Sequence, residues 1–166
     1  MIYKYFYQTP KEFSDILITG TSNYLTGLCF ENSGKNNFEA NFEMNKSPVI
    51  EETIKWLNIY FSGKSPDFIP KYKITGLTPF REEVINAVNS IPFGKTVTYG
   101  EISKIIAEKR GIKRMSAQAV GGAVGWNPIC IIIPCHRVMG ANGKLTGYGG
   151  GINNKAALLK LENILF

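Results

Sequence analysis

Three short runs open the chain: residues 2–8 (IYKYFYQ), 15–22 (DILITGTS) and 24–31 (YLTGLCFE). Each mixes aromatic and β-branched residues with polar ones, and Gly, Asn and Ser separate them, a pattern that predicts antiparallel strands. From residue 47 to 63 the spacing changes. Ile50, Ile54, Leu57 and Tyr60/Phe61 fall on one side of a helix, with Ser47-Pro48 as cap and first turn and Gly63 as its stop. Residues 64–76 (KSPDFIPKYKITG) carry prolines and no period, so they read as a linker.

Beyond the linker the period is helical. In TPFREEVINAVNSIP, Thr78 is the expected N-cap and Pro79 the first helical residue, with Phe80, Val84, Val88 and Ile91 as the buried stripe. TYGEISKIIAEKRG opens on a capping box, Thr98 to Glu101, and stops at Gly111. A third helix begins at Ser116 in SAQAVGGAVG. Its glycines each cost a helix roughly 1 kcal/mol relative to Ala. That cost makes sense if a neighbouring helix or a nucleic-acid strand approaches the backbone closely. The expected fold class is α/β of the α+β kind. Residues 1–75 form a small antiparallel-sheet subdomain with its linker, and residues 76–166 a mainly helical, winged helix-turn-helix-like domain.

Charge sharpens this division. Residues 1–75 hold eight Lys/Arg and eight Asp/Glu, whereas residues 76–166 hold eleven against five and so carry the whole net charge of +6. No acid occurs between Glu108 and Glu162, while eight basic residues do. A solvated basic face is one reading; a surface that meets phosphates is the other, and the favoured one. No stretch is apolar for the ~20 residues a membrane span needs, and the N-terminus lacks a signal layout, so the cytoplasm is the expected location.

Candidate chemistry centres on IIIPCHRVMG, where the chain's one histidine, His136, follows Cys135. Buried cysteine is often mere packing. On a regular strand the two side chains would point to opposite faces. Pro134 breaks such a ladder, so the chain can turn and bring both to one cavity, with a water bridging thiol and imidazole. Glu162, set beside Leu158, Leu159 and Leu165 on an apolar stripe, is the candidate that orients the imidazole, unless it simply reaches solvent. Three cysteines and one histidine are too few for a zinc site without carboxylates, so no metal is expected. An activated cysteine could serve a hydrolase; the basic half-chain favours action on nucleic acid.

Around PCHRV the chain resembles the O6-alkylguanine-DNA alkyltransferases, also called methylated-DNA–protein-cysteine methyltransferases. TPFREEV, IPFGKTVTYGEIS, AVGGAVGWNP, IIIPCHRV and LTGYGGGINNKAALLKLE match in order and spacing across residues 78–162. The first 75 residues match only in layout. The resemblance implies that Cys135 accepts the alkyl group, activated through a water by His136, which Glu162 orients. Asn127 would tie the turn that carries them, and Tyr99 would donate its phenol to the departing guanine. The Val138 carbonyl and the Tyr148-Gly149 loop would line the base pocket. The helix from Ser116, with Ala119 and Gly122, would dock in the minor groove, and Arg81 and Arg114 would also contact the DNA. Gln118 stands where the family usually places an arginine finger, and Gly149 where some members have Ser. The implied partner is double-stranded DNA containing O6-alkylguanine, bound by a monomer that needs no cofactor and acts once.

Overall fold

The structure is a computed structural model describing residues 1–31 and 46–166. Its contacts group into two compact units. One comprises Met1–Thr75 with Pro128–Ile132, the other Gly76–Asn127 with Ile133–Phe166. The short segment 128–132, expected with the C-terminal part, therefore belongs with the N-terminal unit.

In that first unit the three expected strands form. β1 (Tyr3–Tyr7), β2 (Ile16–Gly20) and β3 (Leu25–Phe30) make one antiparallel sheet in that order, with Tyr5 opposite Ile18 and Ile18 opposite Leu28. Ile16, Leu17 and Ile18 are all buried, so both faces of the central strand are covered. α1 (Pro48–Phe61) starts at Ser47, whose hydroxyl accepts from the Ile50 amide and donates to the Thr21 carbonyl at 2.9 Å. Its inward face is Val49, Ile50, Thr53, Trp56, Leu57 and Tyr60; Ile54 and Phe61 of the expected stripe are half-buried. The presumed linker does more than connect, because Tyr72 bridges to Leu25. Ile129 pairs likewise with Leu28, giving the isoleucine run a single bridge to the sheet.

The second unit contains α2 (Pro79–Asn89), β4 (Val97–Thr98), α3 (Tyr99–Arg110), α4 (Ala117–Trp126), β5 (Val138–Met139) and α5 (Ile152–Leu161). Each of α2, α3 and α4 has its expected cap. Thr78 accepts from Arg81 at 3.2 Å, Ser116 from Ala119 at 3.1 Å, and Thr98 and Glu101 complete the reciprocal box. α3 ends at Gly111, whose φ of +65° suits glycine. α2, α3 and α4 pack against one another, and β4 pairs in parallel with β5. Phe80 is only half-buried; Val84, Ile85, Ala87 and Val88 seal α2.

At the C-terminus the expected stripe is wrong. α5 stops at Leu161, Asn163 turns left-handed at φ +59°, and Leu165 is 98 % exposed. Glu162 caps the helix instead of continuing its apolar side, yet it is buried. No helix among the described residues is long and apolar enough to cross a membrane.

Candidate active site

The chain leaves the second unit after Asn127 and returns at Ile133. Asn127 joins these two points: its Nδ2 donates to the Ile133 carbonyl at 3.1 Å and to Cys135 Sγ at 3.1 Å. No strand leads into the cysteine. Ile131 adopts φ +68°, and Cys135–Arg137 is a single 3₁₀ turn, closed by the Val138 amide donating to the Cys135 carbonyl. Successive side chains on such a turn diverge by about 120° rather than the ~180° of a strand. The turn thus removes the geometric objection to neighbouring Cys and His acting together.

Cys135 and His136 are buried, and so are Asn127, Arg137, Lys155 and Glu162 around them. His136 Nε2 lies 2.5 Å from Glu162 Oε2. The other carboxylate oxygen accepts from Arg137 Nε at 2.8 Å and from the Gly94 amide at 2.9 Å. Arg137 also donates to the Ile91 carbonyl at 2.8 Å, and its guanidinium lies 5.7 Å from the centre of the Phe93 ring. Burial by itself would raise the Glu162 carboxyl. The hydrogen bond from His136, the Gly94 amide and Arg137 oppose it, and the group lies at about 2. Burial pushes His136 below its ordinary value; Glu162 works against this, and Arg137 and Lys155 reinforce it. Glu162 is therefore the anion and His136 a neutral imidazole. An ionised carboxylate only accepts, which assigns the ring proton to Nε2 and makes Nδ1 the basic nitrogen.

Lys155 is the least expected member. It is completely buried, and its Nζ donates to the Val138 carbonyl at 2.6 Å. Burial lowers its ammonium from 10.5 to about 8, while the charge of Cys135 acts in the opposite direction. The carbonyl expected to line the base pocket is thus already one lysine's acceptor, with a second lone pair remaining. Tyr99, half-buried, follows β4, which pairs with β5 directly after the Cys135–Arg137 turn. Burial raises its phenol, Thr146 works against this, and Cys135 adds to it, so the group stays a protonated donor at neutral pH. Tyr148 and Gly149 are half-buried in the loop before α5.

The remaining candidates lie on α4 and nearby. Gln118, Ala119, Gly122 and Arg114 are exposed. Ala119 and Gly122 line a groove of about 300 Å³ together with Thr78, Phe80, Arg81 and Ala123. A Cβ added at Gly122 or Gly125 would meet nothing within 4 Å, and one at Gly121 would only reach the Tyr99 ring at 3.9 Å. Packing among the described residues therefore does not demand these glycines. Arg81 is half-buried; it stacks on Trp126 with 4.0 Å from guanidinium to ring centre and donates to the Gly76 carbonyl.

Reading the sequence missed Arg137, Lys155 and the Gly94 amide. Lys155 did leave a signal. It precedes Leu158 and Leu159 by three and four positions, the same spacing that drew attention to Glu162. Among the described residues no cluster of His, Cys, Asp and Glu could hold a metal ion.

Residues 79–164 match the family model for the 6-O-methylguanine DNA methyltransferase DNA-binding domain. A methylated-DNA–protein-cysteine methyltransferase of Mycobacterium bovis is 52% identical over 106 residues, 64% of this chain and 61% of that protein, so the match spans less than two thirds of that relative. One from Methanosarcina mazei is 42% identical over 147 residues, 89% of either chain. Among solved structures, Mycobacterium tuberculosis OGT in complex with DNA is 38% identical, with a TM-score of 0.77 over 95% of this chain and 92% of that one. With the match reaching across the capped helices, the Cys135–Arg137 turn and Glu162, the chain belongs to the methylated-DNA–protein-cysteine methyltransferase family.

Proposed function

We propose that the protein repairs double-stranded DNA by taking the alkyl group from O6 of an alkylated guanine onto Cys135 and keeping it there. The observation that carries this reading is the sulfur held at 3.1 Å by Asn127 beside the buried His136–Glu162 pair, in a chain of this family. A stacked base hides its O6 substituent, so the nucleotide has to be extruded, at a cost of a few kcal/mol that is smaller for a damaged pair. The exposed small-residue face of α4 supports docking in the minor groove through Ala119 and Gly122, with Gln118 entering the stack and Arg81 and Arg114 near the backbone.

The chemistry follows from the proton inventory. His136 Nδ1 takes the thiol proton through a bridging water, and Glu162 stabilises the resulting imidazolium. The Cys135 thiolate then attacks the alkyl carbon: an S–C bond forms, the C–O bond breaks, and its electron pair leaves with guanine. Tyr99 supplies a proton to the departing base, held against the Tyr148-Gly149 loop and the Val138 carbonyl. The relayed thiol proton restores the phenol. A thioether is a very poor leaving group, so each molecule acts once. One copy per lesion suffices, and we place it in the cytoplasm.

Intact-mass measurement after mixing with an oligonucleotide carrying one O6-methylguanine tests this. One added methyl per protein, mapped to Cys135 and absent in Cys135→Ser, is expected. Repaired oligonucleotide in excess of protein would overturn it.

A further inference from the structure

We propose that Trp126 is a positioning residue for the nucleophile: held under the Arg81 guanidinium, it fixes the C-terminal end of α4 and with it the Asn127 carboxamide that grips Cys135. The inference rests on Cys135 being the alkyl acceptor.

α4 is poorly equipped to hold its own end. Gly121, Gly122 and Gly125 fall in its last six residues, and helical glycine is weaker than alanine. The helix ends on Asn127 at φ −43° and ψ 117°, without the left-handed glycine that closes α3. Yet Asn127 must place one Nδ2 within 3.1 Å of both the Ile133 carbonyl and Cys135 Sγ. Such a double donation tolerates only tenths of an ångström.

Trp126, immediately before Asn127, supplies the missing anchor. The Arg81 guanidinium lies 4.0 Å from its ring centre, and the same guanidinium donates to the Gly76 carbonyl at 2.9 Å. A Cβ built on Gly76 would sit 3.5 Å from Trp126 Cζ2, so the indole edge lies about one methyl's width from the backbone that accepts the Arg81 guanidinium. The clamp is itself seated on a fixed element, because the Arg81 amide donates to the Thr78 cap at the start of α2. Guanidinium, indole and carboxamide thereby form one continuous connection from α2 to the sulfur, all within the second unit.

The test is single-turnover methyl transfer at saturating O6-methylguanine duplex, measured beside duplex affinity and the melting curve. Trp126→Ala is expected to slow transfer about tenfold with affinity changed less than about twofold. Trp126→Phe, which keeps a face for Arg81, restores the rate to within about twofold. Trp126→Leu keeps apolar bulk without a π face and behaves like Trp126→Ala, which guards against a folding defect in either variant. Wild-type rates in Trp126→Ala or Trp126→Leu, or a loss of affinity with an unchanged saturated rate, would overturn the proposal. Failure of the unmodified protein to gain a methyl on Cys135 would instead remove the reading beneath it.

Discussion

The two units treat buried polarity in different ways. Among the described residues of the first, the fully buried side chains include Ile16, Ile18, Leu25, Leu28, Phe30, Ile50, Leu57, Tyr60 and Ile129, with Trp56 stacked on Tyr60 at 5.4 Å. Lys4, Ser47 and Thr53 are buried there too. The Ser47 hydroxyl donates to the Thr21 carbonyl and that of Thr53 to the Val49 carbonyl in the first turn of α1, and none of the three belongs to a cluster of ionisable groups like the one around Cys135. The second unit buries His136, Arg137, Lys155 and Glu162 around one cysteine. Burying ions costs more than apolar side chains of the same size would. A hydrophobic set would have stabilised the second unit at least as well, so the chemistry proposed for Cys135 supplies the rationale for its charges. Stability and reactivity should therefore separate between the units when single residues are changed.

The largest separation is expected at Glu162. In Glu162→Gln, the Arg137 guanidinium and the Gly94 amide draw the one remaining oxygen, and the new NH₂ faces His136. The imidazole then has to accept at Nε2, which moves its proton to Nδ1 and removes the base. Transfer should slow roughly 100-fold or more in a stopped assay. Acid stability provides the second readout. A carboxyl held at about 2 instead of 4.5 contributes stability that is complete above pH 4.5 and disappears as pH falls through 2. The variant should lose that dependence, and a wild-type rate would return Glu162 to a helix cap.

Lys155→Met is the intermediate case. At neutral pH the ammonium is a buried cation beside Cys135 already in the resting site, before His136 takes up the thiol proton. Transfer is expected to fall about tenfold, the equivalent of 1.4 kcal/mol less stabilisation of the thiolate. The melting temperature should barely move, because relief of the buried charge offsets the lost bond to Val138. The sign with pH is distinctive. Lys155 loses its charge as pH rises through about 8, so the iodoacetamide reactivity of wild type should level off there while that of the variant keeps climbing. Parallel profiles would sink this role.

What the sequence disclosed follows the range of the interactions. Thr78, Thr98 and Ser116 could be read as caps because each bond spans three residues. The alternating strands were legible for the same local reason. Glu162 was found as a buried acid, but on a helix that continued to Leu165, since an apolar stripe does not mark its own end; the left-handed Asn163 does. Arg137 and Lys155 were counted toward a basic surface that meets phosphates, because their true acceptors lie 25 and 17 residues away. The isoleucine run is apolar along its whole length, and apolarity does not say which unit it completes.

The smallest expected effect comes from the first unit and isolates the contrast. Ser47 is as buried as Glu162, yet its hydroxyl only accepts from Ile50 and donates to Thr21. Ser47→Ala removes one cap and leaves the Thr21 carbonyl without this donor, a loss of about 1 kcal/mol. Denaturant unfolding should register that loss, while methyl transfer at saturating duplex stays at the wild-type rate, because no step of the proposed reaction runs through α1. A rate that fell with Ser47→Ala would mean that the first unit tunes the nucleophile as well as folding around its own core. The division between a stabilising interior and a reactive one would then be wrong at its simplest point.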